Sequence, residues 1–356
     1  MIDGHTHIQF VSEAVGFSER LDGICANQVG VACQFENQIT NTNPAGLVLK
    51  HSQPERFYLL AGLEHAALLY QADHSLPLKD QPAALHSLGA DGIKLLASKP
   101  TERKRLGTAV DGPYFEEFFA VCEKLDIPLL WHVADPEEFW EPERLPSWAQ
   151  EQGWGYDSSY LPKSDLYHEA ENVLRRHPRL RVVFPHFYFL SADLSRAEAF
   201  LEEFPHAHLD LAPGIELYYN LSFCWEKSQD FFCRYSNRIL FGTDILGSHT
   251  ALEVQRRAGI VCRFLTGQET FRVPEGADFL LGPASDGIIR GLALPQVVID
   301  NINRNNFQRI FGPRPRPLDA AAAKEECLRL ARIEAEVTSL PLTACEGTRA
   351  AQIFRP

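Results

Sequence analysis

Eight short β-rich runs, separated mainly by longer amphipathic stretches, limit most strongly how this 356-residue chain can fold. The runs lie at residues 2–8, 31–36, 57–63, 92–97, 128–134, 181–187, 208–212 and 238–245. Helical apolar periodicity occupies several of the intervals, at 114–125, 165–177, 193–204 and 251–265. This alternation is typical of βα units on a parallel sheet. Eight such units predict an α/β fold that closes into a (β/α)8 barrel.

The end of the chain predicts helices outside the barrel. A helix and a weakly patterned stretch at 266–291 follow the eighth run, and a helical apolar face then leads to Gly312, which suits a C-cap. We predict one barrel domain over residues 1–312. Residues 313–356 are predicted as a C-terminal helical extension, with a helix at 320–337 packed on the barrel.

The charge balance argues against a nucleic-acid partner. The chain has 47 acidic and 34 basic residues, a formal charge of −13. No cluster of Lys and Arg is strong enough to attract a phosphate backbone. The densest basic run, residues 99–105, is typical of a solvated loop, although a small anionic substrate could meet it there.

Cysteine usage and hydropathy predict a cytoplasmic protein. The eight cysteines are scattered without C-x-x-C spacing, so we expect reduced thiols in the core. No leader-like segment precedes the first run, and no apolar run approaches membrane-spanning length. We therefore expect no membrane partner.

The connection after the fifth run is long and aromatic. Residues 135–163 contain three of the five tryptophans, Trp140, Trp148 and Trp154. In a barrel, loops that follow strands build the active-site end. Trp and Tyr are also enriched at subunit contacts. We predict that this insert covers the site, contributes to a homodimer contact, or does both.

Six ionisable residues stand inside the otherwise apolar runs: His5, His7, Lys94, His132, His186 and Asp244. Burying any one of them unpaired would cost several kcal/mol. A single buried polar residue usually has its own local partner. Six of them on strands that converge at one mouth favour a shared site instead.

Histidines with an aspartate favour a metal centre. His5 and His7 lie two residues apart on a strand and therefore point to the same face. Three or four His with one Asp suit a divalent ion such as zinc, which activates water and polarises carbonyl groups. Asp244 could serve as ligand and base. His186 is left with two roles, metal ligand or stabiliser of negative charge beside the metal.

Several motifs together resemble the amidohydrolase superfamily. They are the HTH of the first run, WHVADP, VVFPHF, FGTD and the closing DNINRNNFQRIFG. Within the superfamily they most resemble amidohydrolase family 2, which includes aminocarboxymuconate semialdehyde decarboxylase and related decarboxylases. The resemblance spans residues 1 to about 312. It implies a TIM-like (β/α)8 barrel with a long aromatic-rich loop after strand 5 and C-terminal helices.

The resemblance also implies the site. By matching motifs, His5, His7, His132 and Asp244 correspond to the ligands of one divalent ion, and His186 to the catalytic histidine beside it. Zn²⁺ is the expected ion, with Mn²⁺ as the alternative. Two-metal members of the superfamily carry a carbamylated lysine on the fourth strand. Lys94 therefore has two open roles, bridging ions or contacting substrate.

Three functions follow from these residues. The first is hydrolysis of a C–N or C–O bond in a small carbonyl compound, with Asp244 as base and His186 near the oxyanion. The second is non-oxidative decarboxylation of a small aromatic or unsaturated acid, for which the aromatic insert and Arg103, Lys104 and Arg105 would suit a flat anion. The third is a binding protein without catalysis, which the costly polar residues in the strands argue against.

Overall fold

The computed structural model describes residues 1–145, 147–151, 154–214, 216–274 and 287–354. Its centre is a parallel sheet of nine segments in the order β8-β7-β6-β5-β4-β3-β2-β1-β9. The segments are β1 Ile2–His7, β2 Gln28–Ala32, β3 Phe57–Gly62, β4 Gly92–Ser98, β5 Leu129–Val133, β6 Val182–Phe184, β7 Ala207–Asp210, β8 Ile239–Leu240 and β9 Ile245–Leu246. Each of the eight predicted runs overlaps a strand, so the predicted fold class is confirmed.

The eighth run closes the barrel by splitting in two. Its first half, β8, pairs with β7, whereas its second half, β9, pairs with β1. Between the halves, Phe241 O accepts a hydrogen bond from Gly4 N at 3.0 Å, and Asp244 N donates to His5 O at 2.8 Å. One continuous segment therefore joins both edges of the sheet. The prediction of a single eighth strand was wrong in this detail, because residues 241–244 leave the sheet where the two edges meet.

Two other strand bounds were also predicted wrongly. β2 begins at Gln28 and ends at Ala32, so residues 33–36 form a loop although their pattern resembles a strand. β6 ends at Phe184, because the chain turns into a left-handed conformation at His186. In both places the chain that leaves the sheet supplies residues to the cavity described below: Gln34, Phe35 and Glu36 after β2, and His186 after β6.

Helices surround the sheet, and those predicted at 114–125, 165–177, 193–204, 251–265 and 320–337 agree with the observed bounds to within two residues. The helices are α1 Val11–Asp22, α2 Asn43–Ser52, α3 Ala66–Tyr70, α4 Gln81–Leu88, α5 Pro100–Leu106, α6 Pro113–Lys124, α7 Ser147–Glu151, α8 Lys163–Arg176, α9 Leu194–Glu203, α10 Leu217–Phe223, α11 Trp225–Arg234, α12 Ala251–Thr266, α13 Gln296–Asp300, α14 Asn306–Phe311, α15 Ala320–Thr338 and α16 Glu346–Ala351. No helix within these described ranges has the length and apolarity to cross a bilayer.

The chain ends in helices on the outside of the barrel. A π-helical turn, Asn301–Asn305, connects α13 to α14, and Gly312 ends α14 with a φ of 96° that favours glycine. Helix α15 packs on α2 and α4, and α16 packs on α1 and α2. Part of the weakly patterned stretch forms a short antiparallel strand pair, β10 Thr270–Phe271 with β11 Ile289–Arg290. Residues 275–286 lie outside the described residues.

Alternate side chains along the strands point to opposite faces of the sheet and pack into two different hydrophobic cores. One set packs under the helices, as Val29, Leu129 and Val182 do. The other set faces into the barrel and packs with α14, as shown by a cluster of Ile2, Ala32, Tyr58, Leu60, Leu130, Val183, Leu240, Phe307, Ile310 and Phe311. The predicted apolar face near residue 312 therefore fills the barrel interior. This leaves the polar side chains to gather elsewhere in the barrel.

The thiols are free, as the sequence predicted. All eight cysteines lie among the described residues, and none forms a disulfide. Cys33, Cys122, Cys327 and Cys345 are buried, whereas Cys25 and Cys233 are exposed. The prediction that the cysteines lie in the core is therefore confirmed for only four of the eight.

Acid should destabilise this fold through His208 on β7. Its Nδ1 donates to His206 O at 3.1 Å, and burial lowers its pKa from 6.5 to about 3. The unfolded chain therefore binds the proton more readily between these values, and stability falls as the pH drops below 6.5. We expect about 2 kcal/mol to be lost by pH 5 through this residue.

Denaturant unfolding of His208→Asn measures this effect. Asn can donate to the same carbonyl but does not titrate, so its unfolding free energy should change less between pH 7 and pH 5. The matched control is His168→Asn, because His168 is exposed on α8. Equal pH dependence in His208→Asn and the wild type would contradict the assignment.

Candidate active site

The polar strand residues converge on one cavity of about 230 Å³. All six predicted site residues line it, so the structure brings the whole set together. Phe35, Leu96, Phe139, Trp154, Phe189 and Leu246 supply much of the apolar wall. Long loops after the strands complete it, as expected for the active-site end of a barrel. The cavity is therefore a small apolar chamber with a cluster of ionisable groups.

Three of these side chains form a group suited to a metal ion. His5 Nε2 lies 3.0 Å from His7 Nε2, and His7 Nε2 lies 3.2 Å from Asp244 Oδ1. The donor atoms of His5, His7 and Asp244 all lie within 4.8 Å of one another. Burial lowers the pKa of both histidines, which favours the neutral imidazole that binds metals.

Asp210, at the end of β7, orients this group. Its Oδ2 lies 2.8 Å from His5 Nδ1, so Nδ1 donates the proton and Nε2 points its lone pair toward His7 and Asp244. Its Oδ1 accepts hydrogen bonds from His186 N at 2.9 Å and Ala212 N at 3.0 Å. Asp210 was not among the site residues predicted from the sequence. The signal was present, since Asp210 is also a carboxylate in an apolar run, HLDLA.

His186 projects into the cavity from a strained turn. Residues 186–189 have φ values of 55°, 58°, 56° and 50°, all in the left-handed region. Each such non-glycine residue costs about 1–2 kcal/mol. The turn is held by buried packing, by Asp210 on His186 N, and by Tyr167 Oη donating to Tyr188 O at 2.9 Å. Its effect is to place His186 and Phe189 in the cavity wall.

His132 lies apart from the three-residue group. Its Nε2 is 2.9 Å from Ala134 O and 3.1 Å from Asp135 Oδ1, so that nitrogen donates to local acceptors. Its ring centroid lies 5.1 Å from that of His186. Burial lowers its pKa to about 3, which keeps it neutral. Three of the four predicted ligands therefore come together, whereas His132 borders the same cavity.

Lys94 adds positive charge beside the group. Its Nζ lies 3.2 Å from His5 Nε2, and the side chain is buried. Burial lowers its pKa to about 8, against the opposing pull of Asp244 and Asp210. Asp244 and Asp210 favour the charged form of this lysine, and a protonated Lys94 can attract an anionic group.

A second lysine in the cavity has carboxylate partners. Lys99 Nζ donates to Asp135 Oδ2 at 2.8 Å and lies 3.3 Å from Glu36 Oε1. Burial alone would lower the pKa of Lys99, but the two carboxylates outweigh burial and raise it. Tyr156 also donates to Asp135. Sequence reasoning predicted neither Lys99 nor Asp135 as an individual site residue, because both lie in loops just after strands.

The predicted anion-binding residues do not reach the cavity. Arg103 pairs with Glu169 at 2.9 Å and Arg105 with Glu102 at 2.6 Å, and neither arginine lines the cavity. Lys104 Nζ instead lies over the Tyr160 ring, 3.9 Å from its centroid. The suggestion that these three residues suit a flat anion was wrong, because Arg103 pairs with α8, Arg105 pairs within α5 itself, and Lys104 packs on the insert.

The aromatic insert reaches over the cavity, as predicted. Phe139 and Trp154 line the chamber and stack with ring centroids 5.8 Å apart. Tyr156 packs edge-on against Trp140 at 4.7 Å and so joins the insert to the Asp135 side of the wall. The side chain of Trp148 lies outside the described residues. The proposed subunit contact of this segment stays a prediction.

Comparisons with known proteins agree on the family and the fold. The family model "Amidohydrolase" (Amidohydro_2) matches residues 66–284. No curated protein matches the chain. An uncharacterised TIM-barrel protein of Bordetella bronchiseptica is 14% identical with a TM-score of 0.53, and the match covers 86% of this chain and 82% of that one.

Two further solved structures share this architecture. An amidohydrolase II is 15% identical with a TM-score of 0.53, over 87% of this chain and 99% of that one. The 5-carboxyvanillate decarboxylase of Sphingomonas paucimobilis is 12% identical with a TM-score of 0.51, over 87% of this chain and 98% of that one. At these identities the similarity shows the fold.

Asp210→Asn should weaken metal binding without unfolding the chain. The Asn oxygen still accepts from His186 N and Ala212 N, but its amide faces His5 Nδ1 as a second donor. His5 would then favour the tautomer with its proton on Nε2. We expect the dissociation constant for Zn²⁺, measured by equilibrium dialysis, to rise about 10- to 100-fold. Asp230→Asn, on the exposed face of α11, is the control; equal affinity in both variants would refute the role.

Proposed function

The chain belongs to the amidohydrolase family, and on that premise we propose that it is a divalent-metal-dependent enzyme that decarboxylates a small planar carboxylic acid without oxidation. The observation that carries the proposal is that the metal-type donor atoms of His5, His7 and Asp244 lie beside the buried Lys94 in a chamber with aromatic walls. Hydrolysis, the first function inferred from the sequence, is kept as the second candidate.

The chemistry of the donor set fits a divalent ion. His5 and His7 offer neutral imidazoles and Asp244 offers a carboxylate, a combination that suits Zn²⁺ and also Mn²⁺. We propose these three residues as ligands, with Zn²⁺ as the expected ion and Mn²⁺ as the alternative. His132 stays the predicted fourth ligand. When bound, the ion supplies positive charge that neutralises and orients a substrate carboxylate or carbonyl.

The surroundings of this group support a flat acid as substrate. Lys94 contributes a second positive charge at His5, which suits one carboxylate. Phe35, Phe139 and Phe189 line the chamber and can pack against a ring. The decarboxylase of Sphingomonas paucimobilis shares the fold, which is consistent with this chemistry.

Decarboxylation requires a proton at the carbon that loses CO₂. The balanced step breaks one C–C bond, leaves the electron pair on that carbon and consumes one proton there. We propose that Asp244 and His186 deliver this proton, because Asp244 belongs to the donor group and His186 lines the cavity beside it. His5 and His186 rings lie 5.5 Å apart, so His186 can reach a substrate held at His5 and His7.

Hydrolysis is favoured by the position of Asp244. Its Oδ1 lies 3.2 Å from His7 Nε2, and its side chain keeps 16% of its surface exposed to the cavity. In that position the carboxylate can accept a proton from water near the donor group. His186 would then stabilise negative charge on the carbonyl oxygen. The two reactions thus use the same residues and differ in product.

A substrate panel separates these reactions. Metal-loaded protein should release CO₂ from at least one aromatic or unsaturated carboxylic acid, and His186→Asn should slow this release about 10²- to 10⁴-fold with unchanged metal content. Asn is chosen because it tolerates the left-handed backbone at residue 186. Asp244→Asn should lose both turnover and metal affinity. Cleavage of amides, esters or lactones with no CO₂ release would favour hydrolysis instead.

The metal count tests the role of Lys94. Elemental analysis should give about one divalent ion per chain in the wild type and in Lys94→Met, in which the Met side chain retains most of the buried volume. Two ions in the wild type, falling in the variant, would instead support a bridging lysine. That result would also make His132 and His186 candidate ligands of the second ion.

A further inference from the structure

The cavity has a second polar region, formed by Glu36, Lys99 and Asp135, which we call the Glu36 subsite. Its residues come from loops after β2, β4 and β5, and all three line the same cavity as the metal-type group of His5, His7 and Asp244. The two regions are connected along the wall, because the Phe35 ring lies 5.1 Å from that of His7. None of the roles proposed above uses this subsite.

The lysine of the subsite has no donor left for a substrate anion. An ammonium group has three N–H donors. Lys99 Nζ donates to Asp135 Oδ1 and Oδ2, each at 2.8 Å, and forms an ion pair with Glu36 Oε1 at 3.3 Å. Although a lysine in a cavity suggests an anion site, these contacts already occupy it. The subsite with its two carboxylates and one ammonium therefore carries a net charge of −1.

Glu36 is the residue that faces the substrate space. Its side chain is 28% exposed, compared with 5% for Asp135 and 12% for Lys99. Asp135 accepts hydrogen bonds from Lys99 and Tyr156 and lies 3.1 Å from His132 Nε2. Glu36 accepts from Thr101 and contacts Lys99, which leaves lone pairs on its two oxygens. It is the carboxylate best placed to receive a donor from a ligand.

We propose that the Glu36 subsite binds an amino group of the substrate and rejects a second carboxylate. The proposal rests on the proposed function for the acid end, which binds at the metal-type group and Lys94. A net negative region within a largely apolar chamber attracts an N–H donor and repels an anion. The substrate class is therefore a ring or unsaturated monocarboxylic acid that carries an amino group away from the carboxylate.

Matched benzoates can test this selection by binding alone. The probes are benzoate, 3- and 4-aminobenzoate, isophthalate and terephthalate, titrated calorimetrically into metal-loaded full-length protein. We expect at least one aminobenzoate to bind tenfold or more tightly than the dicarboxylate with the same substitution pattern. Equal or tighter binding of the dicarboxylates, or no binding of any probe, would overturn the proposal.

Variants locate the selection at Glu36. Glu36→Gln removes the charge, so the ratio of the two affinities should fall toward one. Glu36→Asp keeps the charge and should retain rejection of the dicarboxylate, and its thermal unfolding checks that the loop tolerates substitution. The control is Glu141→Gln, which makes the same charge change at a residue that pairs with exposed Arg144 outside the cavity lining. An unchanged ratio in Glu36→Gln would refute the subsite.

The two proposals fail in different ways. Absence of CO₂ release with a retained amino-over-carboxylate preference would refute the decarboxylase and leave the Glu36 subsite in place. Decarboxylation with no such preference would refute the subsite and leave the reaction in place. The binding measurement needs no turnover, so it is independent of which bond the enzyme breaks.

Discussion

The hydrogen bonds between the first strand and the eighth run hold the site together. Gly4 N donates to Phe241 O, and Asp244 N donates to His5 O at 2.8 Å. The second bond places Asp244 beside His5 by a main-chain contact, before any side chain is considered. The same segment leaves the sheet there, with Asp244 at a φ of 54°. Barrel closure and assembly of the donor group are therefore one structural event.

Burying several polar groups together is unfavourable, and hydrogen bonds and ion pairs between them offset this free energy. Asp210 bonds to His5 and to the backbone of the strained turn, so one carboxylate supports both the donor group and His186. Lys50 and Asp91 form a buried ion pair outside the cavity, and Asp91 also accepts from Leu59 N. That pair shows that a buried charge in this fold can serve structure alone. Most polar residues of the candidate site lie toward the C-terminal ends of strands or just after them, whereas Lys50 lies on α2 and Asp91 precedes β4.

Loops decide what the barrel can bind. The matched structures share its architecture at 12–15% identity, so the fold alone says little about the ligand. Here the loop after β2 brings Phe35 and Glu36 to the wall, and the insert brings Phe139 and Trp154. The chamber thus combines the donor atoms of His5, His7 and Asp244 with Lys94 at one end, apolar sides, and the Glu36 subsite. Under the proposed function, with a divalent ion bound, this arrangement would suit a substrate with one anionic end.

The sequence by itself determined the barrel, several of its helices and the six polar residues that line the cavity. Local periodicity records which face of each strand is buried, so this information lies within short segments. Only the tertiary structure decided which groups meet. It split the eighth run, set His132 apart, brought Asp210 to His5 and filled the donors of Lys99 with carboxylates. Asp210 and His5 are 205 residues apart, and no local pattern encodes a contact over that separation.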